Sequence, residues 1–162
     1  MSPAREITQD YAMDVGVRFL RAASAMRDGD AEAAVELLAG PFDPDNERVE
    51  QDMVGLFSAG AIIAGRTLRS ACSDPADPSP FDGPSVLQVL DARSGFPAHP
   101  EDLPPAERLV VWAAAAGANL DSEGISAHLG VLLRRGGFEA VTKAVTTLVK
   151  ITAAAWDGGP LR

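Results

Sequence analysis

With 162 residues, 46% of them apolar, the chain is long enough to bury a core in one domain and has the balance of a globular protein, not a disordered one. A net charge of −9 opposes binding to phosphate backbones, and a single cysteine, Cys72, excludes an internal disulfide and a cysteine zinc site. No apolar run reaches the ~18 residues of a membrane span, and charges interrupt the N-terminus where a signal peptide is apolar, so a cytoplasmic protein without membrane or nucleic-acid partner is expected.

Apolar periodicity and punctuation place six main helices. The first runs from about Thr8 to Arg27, with Tyr11, Val15, Phe19 and Ala22 on one face, and ends at Asp28-Gly29. Asp30 then caps a second, Ala31 to Ala39, with a stripe of Ala34, Val35 and Leu38, and Gly40-Pro41 stops it. A third, from about Glu47 to Ala71, contains VGLFSAGAIIAG, apolar or small on nearly every side, as in a helix surrounded by protein. Its small residues Ser58, Gly60, Ala61, Ala64 and Gly65 admit neighbouring helices closely.

Eight of the twelve prolines fall between Pro75 and Pro105, around one expected short helix, Ser85 to Arg93, so residues 73–104 read as an irregular connection. Helices follow from about Pro105 to Asn119, Ser122 to Arg135 and Phe138 to Trp156. The last is rich in β-branched residues, yet Val141, Val145, Leu148, Thr152 and Ala155 keep the helical period. The expected fold is all-α: one domain, 1–162, with an N-terminal unit (1–72) and a C-terminal unit (105–157), the third and last helices central. Both halves read as long, shorter and long helix, which suggests two stacked three-helix units within that domain.

Residues 27–46, RDGDAEAAVELLAGPFDPDN, resemble the second half of a tetratricopeptide repeat: Ala22, Gly29-Asp30, Ala34 and Asp43-Pro44 stand where that family has its small residues, turn and exit. Arg18 and Arg21 replace large apolar residues of the pattern, Pro41 replaces a small one, and no 34-residue period recurs. The resemblance implies a local antiparallel helix pair and not a repeat array.

Charge is uneven. Residues 1–103 carry 18 acids and 8 bases, whereas residues 104–162 carry 5 and 6. Asp28 to Asp52 alone holds nine carboxylates against Arg48. Its alternation of Asp43, Asp45 and Glu47 imitates a calcium loop, but Arg48 and Val54 occupy the positions that need Gly and Glu. Glu32, Glu36, Asp43, Asp45 and Glu47 are the candidate docking residues for a partner protein with a basic surface. His99 and His128 lack metal-ligand spacing, so no metal is expected, and no nucleotide or cofactor fingerprint occurs, so no cofactor is expected either. The helix–turn–helix at 124–145 carries Arg134, Arg135 and Lys143 in an acidic chain, which reads as a helical corner.

Three functional classes remain. The first is a non-enzymatic helical protein that binds another protein, in the manner of an adaptor, chaperone or immunity factor. The second is a small-molecule sensor with a pocket walled by Gly60 and Gly65 of the third helix, Trp112, His128 and the surroundings of Trp156; the third is an enzyme with an acid–base site of scattered carboxylates or His128. A homodimer through the third helix or the alanine-rich 113–116 segment is also expected. Alanine-rich composition and twelve arginines against two lysines fit a GC-rich bacterial genome.

Overall fold

The computed structural model describes residues 3–42, 45, 47–72, 89–90, 97–98 and 102–156. Among them are five helices: α1 (Pro3–Arg27), α2 (Ala31–Phe42), α3 (Val49–Cys72), α4 (Pro105–Ala118) and α5 (Ser122–Trp156). Gly137 breaks α5 with φ 61° and ψ −149°, so it has two arms, 122–136 and 138–156, and the six helical segments of the sequence are recovered.

Local chemistry explains the turns. At the end of α1 the Asp30 N–H donates to the Ala25 carbonyl (2.9 Å) and the Gly29 N–H to that of Met26 (3.1 Å), the paired bonds that close a helix C-terminus. They require a left-handed residue, and Gly29 supplies it at φ 84°. Asp30 then starts α2, its Oδ1 accepting from the Ala33 N–H at 3.0 Å. The α4–α5 turn repeats this: Asp121 N–H donates to Ala116 O (2.8 Å) and Leu120 N–H to Gly117 O (3.0 Å). Asp121 Oδ1 in turn accepts from the Gly124 N–H at 3.0 Å. Here the left-handed position is held by Leu120, at φ 55°.

Three sequence expectations are corrected. Helix α2 continues through Pro41 to Phe42, because a proline in the last turn removes a single intrahelical bond and stops the helix only beyond itself. Val35 is 51% exposed and lies outside the buried stripe, which is narrower: Ala34 and Leu38, flanked by half-buried Leu37. The short helix expected over Ser85–Arg93 is absent at Val89–Leu90 (β1), which pairs antiparallel with Pro97–Ala98 (β2), Val89 opposite Ala98. Nine residues are too few to hold a helix without tertiary support. The rest of that segment lies outside the described residues.

Helix α3 is central, packing most extensively on α4 and α5 and also on α1 and α2, while α5 packs on α1, α3 and α4. The N- and C-terminal units are therefore packed together as one domain. The core runs through Val15, Phe19 and Ala22 of α1, Leu56, Phe57 and Ala61 of α3, and Val141, Val145 and Leu148 of α5. Thr152, the buried polar residue of this core, donates its hydroxyl to the Leu148 carbonyl at 2.8 Å.

Candidate functional site

Helix α2 presents the acidic residues outward. Burial of Ala34 and Leu38 turns Glu32, Val35 and Glu36 to solvent, with Glu32 in the first turn, where a negative charge suits the helix dipole. Glu32 and Glu36, one turn apart, form no ion pair with a described residue. The result is an exposed valine between two carboxylates. Asp45 and Glu47 are also exposed, and Asp43 lies outside the described residues.

The expected pocket wall is not assembled. Gly60 is buried against Phe19, whose ring edge lies 2.6 Å from where a Cβ would stand. Gly65 lies under the Ala114 carbonyl and the Ala118 backbone, and Gly117 returns the contact by meeting the Ala61–Ile62 backbone. Gly65 and Gly117 bring α3 and α4 together backbone to backbone, while Gly60 admits the Phe19 ring of α1, so protein atoms fill the space beside each of them. The same packing buries Ala113, Ala114 and Ala116 within the chain, so neither they nor the inner face of α3 offers a dimer surface.

Trp112 and His128 do meet, on the outside of the α4–α5 pair. Their ring centroids are 5.9 Å apart and tilted by 36°. The Arg108 guanidinium lies 5.9 Å from the Trp112 ring and donates to the Leu103 carbonyl at 3.2 Å. His128 stands at the edge of the buried stripe of Ile125, Leu129 and Leu132, and burial lowers its pKa from the ordinary 6.5, against the opposing charge of Asp121. Arg108 joins this pair of rings from outside the expected residues, and its i, i+4 spacing from Trp112 is the signal the sequence carries for it. Trp156, by contrast, is covered by Arg27 of α1, 5.7 Å from its ring.

An open groove of about 660 Å³ lies between the start of α4 and the second arm of α5, lined by Glu107, Val110, Glu139, Lys143, Thr146 and Lys150 among others. Its polar groups are largely committed. Lys143 pairs with Glu139 at 3.1 Å, and the Thr142 and Thr146 hydroxyls donate to carbonyls one turn earlier at 3.0 Å. Among the described residues no group of three or more His, Cys, Asp or Glu could hold a metal ion, and no buried side-chain nitrogen or oxygen lacks a partner. No described helix is long and apolar enough to cross a membrane.

Fold and site together define a single-domain all-α helical bundle with a charged outer face and a glycine-packed interior. No family model, curated protein or solved structure matches the chain.

Proposed function

We propose that the chain is a non-enzymatic helical protein-binding protein, with the outer face of α2 as its docking surface for a partner bearing basic residues. The supporting observation is exposed Val35 flanked by Glu32 and Glu36: an apolar contact point within a charged rim, as in specific protein interfaces. The carboxylates steer a basic partner and set the association rate, while the valine contributes contact that salt does not weaken.

Native mass spectrometry of protein purified from its own host identifies the partner by mass. Reversing Glu32, Glu36 and Asp45 to Lys should then slow association several-fold at low salt, leave helix content unchanged, and matter little at about 0.5 M salt, where charges are screened over a few ångströms. A co-purifying small molecule in place of a protein, or unchanged association at low salt, would overturn the reading.

A further inference from the structure

Helix α1 is apolar on two faces. Val15, Phe19, Ala22 and Ala23 are buried in the core, yet Met13, Val17 and Leu20, on the opposite side, are 63%, 45% and 39% exposed. Their spacings of four and three are those of a helix–helix seam, a stripe narrower than the face a core-packed helix needs.

Gly16 borders this stripe. It lies inside α1, where glycine weakens a helix, and a Cβ built on it meets nothing within 4 Å. Gly60, Gly65 and Gly117 each meet the side chain or backbone of a neighbouring helix, whereas Gly16 meets none. On the other flank stand Asp14 and Arg21, seven residues and two turns apart. From Met13 to Arg27 the chain carries one acid, Asp14, and three bases, Arg18, Arg21 and Arg27, so this surface is spared the negative charge of α2.

From these features we infer that the outer face of α1 binds a second copy of this chain in an antiparallel, two-fold symmetric helix pair. In such a pair, residues on one flank of the seam face the same flank of the partner, so Asp14 meets Arg21 of the partner subunit, and the reverse pair forms by symmetry. A parallel pair would set Asp14 and Arg21 against the Gly16 flank, where neither meets an opposite charge across the seam; within its own helix Asp14 has only the long, exposed contact to Arg18 at 3.8 Å. Gly16 lets the helix backbones approach, and Val17 and Leu20 form the apolar centre. This surface is separate from the α2 face, so its failure would leave the protein-binding reading intact.

Sedimentation velocity on the full chain tests it. The wild type should show a species of twice 16.9 kDa at tens of micromolar. Val17→Asp and Leu20→Glu should each weaken the dimer at least tenfold with an unchanged far-ultraviolet circular dichroism spectrum; Val17→Ala/Leu20→Ala serves if either fails to fold. Asp14→Arg and Arg21→Glu should each weaken it several-fold, and the double swap Asp14→Arg/Arg21→Glu should restore it. Gly16→Ala should weaken the dimer while raising the melting temperature of the dilute monomer. A wild type that stays monomeric at 100 µM, a dimer indifferent to Val17 and Leu20, or a double swap no better than its singles would overturn the inference.

Discussion

Replacing Gly117 with alanine tests the α3–α4 crossing directly. The new methyl would overlap the Ala61 carbonyl and stand 2.7 Å from the Ile62 nitrogen, where ordinary contacts begin near 3.4 Å. Both neighbours are backbone, so no rotamer change relieves the overlap and the helices must part by about 1 Å. A gap of that size forfeits a quarter to a half of each dispersion contact along the crossing, and overpacking of this kind costs about 1–3 kcal/mol. Alanine returns about 1 kcal/mol of helix propensity. Because the obstruction is rigid, the upper part of the range applies and the net loss is about 2 kcal/mol, or roughly 4–8 °C in melting temperature for a chain of this size. Thermal and urea unfolding followed by circular dichroism measure it. Gly65→Ala should behave alike, and the double variant should lose less than the sum, since both substitutions open the same contact. A Gly117→Ala protein that melts at or above the wild-type temperature would refute the backbone-to-backbone crossing.

Leu120→Gly should stabilise the chain by about 0.5–1 kcal/mol in urea unfolding, because Leu120 is exposed and its left-handed backbone at φ 55° suits glycine. Gly137→Ala should destabilise it by about 1–3 kcal/mol in the same assay although no atom lies near the added methyl, because φ 61° with ψ −149° is a conformation only glycine adopts freely. His128 should titrate below 6.5 by NMR. Its lowered pKa means that the unfolded chain takes up the proton first, so the stability it contributes is whole above about pH 6.5 and declines as pH falls through the folded-state value; His128→Gln should flatten that decline.

Helix punctuation was legible in the sequence because its signals are local. Gly29, Asp30, Asp121 and Gly137 mark turns through their own backbone preferences, and Phe19, Ala22, Ala34 and Leu38 follow a period that needs no knowledge of the fold. The outward direction of Val35 was not legible, since α2 uses a narrow face whose width depends on its neighbours. Nor was the role of Gly60 and Gly65: a stripe of small residues reads the same beside a ligand as beside a helix, and Phe19 and Ala114, which fill the space, lie some forty to fifty residues away. Trp112 and His128 stand side by side, whereas Gly60 and Gly65 face Phe19 and the α4 backbone. The acids at 32, 36, 45 and 47 were placed at the surface correctly, since ionised carboxylates rarely lose water without a partner.

The two Asp-capped turns set an order of assembly. In each, the bonds that end one helix and begin the next span no more than five residues, so the α1–α2 and α4–α5 corners close at small entropic cost and on fast timescales. The α3–α4 crossing instead requires both glycine contacts to register across residues 73–104, a far longer closure. Folding should therefore start independently at the two corners and finish when α3 and α4 meet, with the rate set by that meeting. A lengthened connection would slow folding slightly, whereas one residue inserted beside Asp30 or Asp121 would turn the following helix by about 100° and present the wrong side of it to α3 or α1.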